Sequence, residues 1–161
     1  MSFEDKKPVL SIAEVEIYRR RQLARVLLGF LSLPILVCFF TAMGVPAQRN
    51  TLFFVCGVLA VVALLFSSMK IEVSDRFLRW SFGPGILRKR VALSRIESVE
   101  RTRTSWFEGW GIHYTRRGWL YNVSGFEALH VTMKDGKRFL LGTNDAEALI
   151  KALSEGMARY S

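Results

Sequence analysis

Two long apolar stretches interrupt an otherwise densely charged chain. Val26 to Pro46 reads VLLGFLSLPILVCFFTAMGVP and Thr51 to Met69 reads TLFFVCGVLAVVALLFSSM, and no ionisable acid or base falls between Arg25 and Arg49 or between Arg49 and Lys70. The stretches hold 21 and 19 residues; as helices they would measure about 31 and 28 Å, close to the hydrocarbon thickness of a bilayer. The rest of the chain is too short to cover both as core helices. A cleaved signal peptide fits poorly with the length of the first stretch, the acidic residues before it and the second stretch directly after it. Gly44, Pro46 and Asn50 favour a turn between the two, so the pattern predicts an antiparallel hairpin of two membrane-spanning helices. Pro34 deprives the Phe30 carbonyl of its helical donor and predicts a bend in the first span.

From Met69 onward the pattern changes to short alternating runs. MKIEVS, FLRWSF and ILRKRVAL read as successive strands, with Met69, Ile71 and Val73, then Leu78, Trp80 and Phe82, facing inward. Further strands are predicted at Ile96 to Thr104, Gly111 to Thr115, Trp119 to Val123, Glu127 to Lys134 and Lys137 to Gly142. Asp135 and Gly136 join the last two as a tight hairpin with positive φ at both positions. Asn144 with Glu147 predicts a capped helix whose Ala146, Leu149, Ile150, Leu153 and Met157 share one face, with Glu147–Lys151 and Glu155–Arg159 pairs outside. Before the first span, Ser11 with Glu14 has the form of a capping box, and IAEVEIYRRRQLAR contains no helix breaker, so a short helix is expected there.

The fold class expected from this pattern is α+β: a transmembrane helical hairpin followed by an antiparallel β-barrel or bent sheet with a C-terminal capping helix. The stretches GWGIHYTRRGWLYNVSGFEAL (Gly109 to Leu129) and DGKRFLLGTNDAEAL (Asp135 to Leu149) resemble the PH-like domains of bacterial membrane proteins, which often follow one or two transmembrane helices. The resemblance spans roughly Met69 to Leu153 and implies a seven-stranded barrel closed by the C-terminal helix. PH domains that hold inositol phosphates use a long basic loop between their first two strands; here that connection is Ser74, Asp75 and Arg76. What the resemblance implies is a scaffold for binding or assembly at a membrane.

Charge sets the orientation. Of the net charge of +9, most lies beyond Lys70. The hairpin tip carries only Arg49, whereas Arg19, Arg20, Arg21 and Arg25 precede the first span and Lys70, Arg76 and Arg79 follow the second. The positive-inside rule then places both termini in the cytoplasm, as expected for a multi-pass protein of the cytoplasmic (inner) membrane. The expected organisation is a cytoplasmic segment (1–25), a first span (26–46), an extracytoplasmic turn (47–50), a second span (51–69) and a cytoplasmic PH-like domain (70–161). Arg19, Arg20, Arg21, Arg25 and Lys70 form the expected membrane-anchoring flank. Asn122, Val123 and Ser124 form a glycosylation sequon that this orientation leaves unmodified.

Candidate chemistry is sparse. Cys38 and Cys56 lie in the apolar stretches, and His113 and His130 lack acidic or cysteine neighbours at metal-ligand spacing, His130 being expected to face solvent. No phosphate-binding glycine loop or nucleophile elbow occurs, so no enzyme, cofactor or metal is expected. Absence of charge within the spans argues against a transporter or membrane-enzyme subunit, and no recognition helix or base-stacking motif suggests nucleic acid. Arg88, Arg90, Arg116, Arg117, Trp106 and Trp110 are the candidate surface for a lipid or a partner. The expected role is a non-catalytic binding or assembly module that contacts the lipid bilayer and another membrane or cytoplasmic protein. Sensing of anionic lipid headgroups is the alternative.

Overall fold

The computed structural model describes residues 14–105 and 108–160. The architecture is α+β. A strand, β1 (Glu16–Leu23), leads into a helical hairpin of α1 (Arg25–Gly44) and α2 (Arg49–Leu65), and eight strands follow: β2 (Ser68–Ser74), β3 (Phe77–Phe82), β4 (Leu87–Ala92), β5 (Ile96–Arg103), β6 (Gly111–Thr115), β7 (Gly118–Asn122), β8 (Glu127–Met133) and β9 (Arg138–Gly142). Helix α3 (Ala146–Met157) follows the last strand. The strands form a four-stranded sheet, β1-β2-β3-β4, and a five-stranded sheet, β5-β8-β9-β7-β6. Their inner faces share one core, from Met69, Ile71, Val73, Leu78, Trp80 and Phe82 on one side to Tyr121, Leu129, Val131, Phe139 and Leu141 on the other. The expected closed antiparallel barrel is not formed: β4 and β6 end their sheets without pairing to each other, and β7 pairs with β9 in parallel.

Each helix span, Arg25–Gly44 and Pro46–Leu65, has 20 residues and is long and apolar enough to cross a membrane. The helices lie side by side and antiparallel, with Phe39 against Phe53 and the Cys56 thiol donating to the Ile35 carbonyl at 3.3 Å. Within α1 only Ala42 is buried, and within α2 no residue is. The hairpin therefore leaves almost all of its apolar surface uncovered. Helix α1 runs through Pro34. The second helix stops at Leu65, short of the expected Met69, because Ser68 and Met69 already belong to β2 and Met69 is buried in the core.

The expected N-terminal helix is instead β1; Ser11, its expected cap, lies outside the described residues. From Tyr18 on, β1 pairs with β2 residue for residue, ending at Leu23 opposite Ser68. On the inner side of β1 stand Tyr18, Arg20 and Gln22, opposite Val73, Ile71 and Met69, with Gln22 buried, Tyr18 half-buried and Arg20 exposed at the margin of the core. Polar groups at two of these hide the period of two, which is why the stretch reads as helical. The buried Gln22 amide donates to the Gly142 carbonyl at 2.8 Å, tying β1 to the end of β9, and Arg20 meets Asp145 at 3.0 Å. Pairing along a whole strand outweighs a helix preference worth only tenths of a kcal/mol per residue.

Strands β2 to β9 fall where the alternation places them, within a residue or two. The β8–β9 turn differs in type: Gly136 alone has positive φ, at 79°, while its N–H donates to the Met133 carbonyl and the Met133 N–H to that of Lys137. This is a three-residue loop with glycine in the left-handed position, so Asp135 needs no unusual backbone. Helix α3 buries Ala146, Leu149, Ala152, Leu153 and Gly156. Asp145, not Asn144, stands at its N-cap, and Glu147 reaches Arg101 of β5 rather than Lys151.

Candidate functional site

The basic residues separate into two regions with different surroundings. On the outer face of the first sheet, cross-strand register builds two rows. Nearest the helices the row is Arg21, Lys70, Ser81 and Arg88; the next is Arg19, Glu72, Arg79 and Arg90. Arg21 faces Lys70 directly and Arg79 faces Arg90, placements that cost stability unless counter-charge is near. Glu72 supplies part of it, to Lys70 at 2.6 Å and Arg19 at 3.5 Å, and Glu14 receives Arg79 at 2.6 Å. Arg21 donates to the Ser68 hydroxyl, Arg88 donates to the Gly85 carbonyl, and Arg90 covers the Phe77 ring at 4.5 Å. Among the described residues none of these three arginines meets a carboxylate.

The arginine cluster expected to act as one flank is thus divided. Arg19 and Arg21 lie on this outer face, Arg20 turns to the other side towards Asp145, and Arg25 opens α1. Arg88 and Arg90 share the face with Lys70, as alternation predicts. Lys89 between them points the opposite way.

That opposite side is the second region, an open cleft of about 740 Å³ between β4 and the β6–β7 hairpin. Its floor includes Trp80, Tyr121 and Phe139, with Trp80 and Phe139 stacked at 5.2 Å. Lys89 stands over the Tyr121 ring, 5.5 Å from its centroid. Arg116, Lys137 and Arg138 line the far end. The cleft's single carboxylate is Asp135, engaged by Lys137 at 3.0 Å and Arg95 at 3.1 Å. Hydrogen bonds from the Lys137 side chain and backbone hold the Asp135 carboxyl below its ordinary range. Towards the helices the cleft continues into a smaller apolar recess between Phe82, Leu87 and Ile112.

Arg116 and Arg117, adjacent in sequence, have different tasks. Arg117 donates to Thr102 Oγ1 at 2.9 Å, to the Arg103 carbonyl at 3.2 Å and to both Glu108 oxygens at 2.9 Å. It fastens the β5–β6 connection across the second sheet and is a structural cation. Burial by itself would raise the Glu108 carboxyl, but the Arg117 hydrogen bond, the Ser105 N–H and the nearby positive charge bring it below the ordinary value. Arg116 is exposed and belongs to the cleft.

The aromatic residues split in the same manner. Trp119 is 47% exposed and packs edge-on to Tyr114, whereas Tyr121 is buried. Trp110 is half-buried and lies between Phe30 of α1 and Phe126, so it joins the domain to the hairpin rather than to the basic residues. Trp106 lies outside the described residues. His130, expected to face solvent, is half-buried with Nε2 covered. Asn122 is fully buried, donates to the Gly125 carbonyl and accepts from the Ser124 N–H. Its side chain is out of reach of a glycosylating enzyme in the folded domain, so lack of a glycan there cannot report the side of the membrane.

Sequence reasoning missed Lys89, Lys137 and Arg138. The signal for Lys89 was available, since alternation separates it from Arg88 and Arg90. That β4 borders a cleft depends on the order of strands in both sheets, which no local pattern carries. Comparison of the chain with protein-family models, with curated proteins and with solved structures finds no match.

Proposed function

We propose that the protein is a non-catalytic integral membrane protein that presents its two-sheet domain directly on the cytoplasmic membrane surface as a PH-like binding or assembly module for another protein. The observation that carries this reading is the way the apolar hairpin joins the domain. Leu23 pairs with Ser68, the Ala24 N–H donates to the Ser67 carbonyl at 2.9 Å, and α1 begins at Arg25. An uncovered apolar hairpin with no slack at either root holds the domain against whatever the hairpin enters. Hydrocarbon is the medium that accepts such a surface, and the charge asymmetry around the hairpin favours a cytoplasmic domain.

Cysteine labelling tests this. In a Cys38→Ser/Cys56→Ser background, Gln48→Cys should react with an impermeant maleimide on intact cells, and Lys134→Cys only after permeabilisation. Recovery of the chain in the carbonate-soluble fraction, or the reverse labelling pattern, would overturn the reading.

The row of Arg21, Lys70, Ser81 and Arg88 favours a second reading, in which the domain senses anionic headgroups. Each cation held near an anionic leaflet contributes about 1 kcal/mol. In nanodiscs, Arg21→Glu/Arg88→Glu should then alter amide-exchange protection of β2 and β3 when phosphatidylglycerol is present and not in pure phosphatidylcholine. Identical behaviour in both lipids would remove this reading.

A further inference from the structure

We propose that the cleft between β4 and the β6–β7 hairpin is the docking site for an extended, acidic segment of a partner protein, which adds as a strand along the β4 edge. The inference deepens the proposed function, resting on it for the compartment in which the partner is met and not for the chemistry of the cleft. β4 terminates the first sheet and β6 the second, and both border the opening. An edge strand presents alternate N–H and C=O groups that a further strand can satisfy. β4 is exposed over Leu87 to Arg90 and carries only cations at Arg88, Lys89 and Arg90, which discourages pairing with a neutral or basic strand and suits an acidic one.

The lining has the same bias. Lys89, Arg116 and Arg138 have no carboxylate partner among the described residues, and Asp135 is already shared by two cations. Trp119 and Tyr114, 47% and 71% exposed, offer apolar anchor surface on the facing wall. The Trp80 indole N–H lies buried at the cleft floor without an acceptor among the described residues.

Position decides between a partner segment and the bilayer itself. Strand β4 starts at the helix-proximal end, where Phe82 opposite Leu87 touches Phe66, and leads to Arg95 at the far end. Six residues of strand carry the chain about 20 Å. The headgroup layer adds only about 5–8 Å to each side of the hydrocarbon core. With β4 leading away from the helix roots, cations at the β6–β7 and β8–β9 turns would stand beyond the headgroups and face the aqueous phase.

The test uses the full chain in phosphatidylcholine nanodiscs and a fluorescein-labelled heptapeptide alternating glutamate with valine. Saturable binding is expected, weakened at least about tenfold by Lys89→Glu/Lys137→Glu and unchanged by Lys151→Glu/Arg159→Glu, exposed positions in and just after α3 that do not line the cleft. The same peptide with alternate backbone nitrogens methylated should bind at least about tenfold more weakly, as should one with lysine in place of glutamate. Thermal unfolding of each variant checks that these exposed substitutions leave the fold intact. The proposal is overturned by no saturable binding, by equal loss from both pairs of substitutions, by a methylated peptide that binds as well as its parent, or by binding that needs anionic lipid. A reversed labelling pattern with peptide binding retained would remove the compartment and keep the cleft, so the two readings fail separately.

Discussion

At Gly83, backbone geometry and neighbouring atoms together exclude every side chain. The residue has φ of +50°, and an added Cβ would lie 2.5 Å from the Leu64 carbonyl oxygen and 2.6 Å from that of Leu65. The β3–β4 turn thereby sits on the last turn of α2. Gly85, two residues on, has φ of +91° with open space around it. Gly83→Ala should therefore lower stability by about 2–4 kcal/mol, combining backbone strain with a clash against atoms that cannot move away. Gly85→Ala should cost about 1–2 kcal/mol from strain alone. Thermal unfolding of both variants in one detergent reads the difference, and equal losses would contradict it. A second residue-scale consequence concerns Glu108. Its folded value lies below the ordinary 4.5, so its ionised form stabilises the β5–β6 connection in full at neutral pH. That stabilisation declines as the pH falls through the carboxylate range and is gone below the depressed folded value. Protection of the amides of Thr104, Ser105 and Glu108 to Trp110, taken relative to the intrinsic exchange rate at each pH, should fall on acidification, and in Glu108→Gln it should be low at every pH. Protection that does not change with pH in the parent protein would refute the clamp.

Among the elements, β2, β3, β8 and α3 were legible in the sequence because each buries one face and its period survives in the side chains, while β4, exposed from Leu87 to Arg90, and β9, buried from Phe139 to Gly142, were legible from the turns that bound them. β1 was not, since Arg20 and Gln22 occupy inner-side positions and meet polar partners, Asp145 and the Gly142 carbonyl. A polar residue facing inward is readable only with knowledge of what it meets. The cleft was illegible for a related reason: Lys89 follows from alternation, but its neighbour Tyr121 comes from the other sheet. Pairing of β1 with β2 carries its own prediction. Because Leu23 lies opposite Ser68, residues 24–67 can be replaced by a two-residue Asn-Gly turn that converts the pair into an ordinary β-hairpin. The resulting chain should be monomeric and unfold cooperatively, whereas a fragment from Lys70 to Ser161 lacks β1, exposes the β2 edge and should aggregate. Size-exclusion chromatography distinguishes the two; an aggregated excision variant would show that the sheet depends on the helices for more than connection.

For the molecule as a whole, the hairpin is an insertion within a sheet rather than a stalk beneath a domain. Its two helices occupy the chain between strands that must lie side by side, so the ends of the apolar segment come together only when both helices have turned back. A ribosome emitting this chain releases β1 long before β2. The first strand must wait without its partner while the hairpin finds its place. If the two helices fail to fold back on each other, β2 is left with a bare edge, the kind of surface that chaperones and proteases act on. Completion of the first sheet thus depends on the hairpin: β1 and β2 can pair only in a chain whose two helices have folded back on each other.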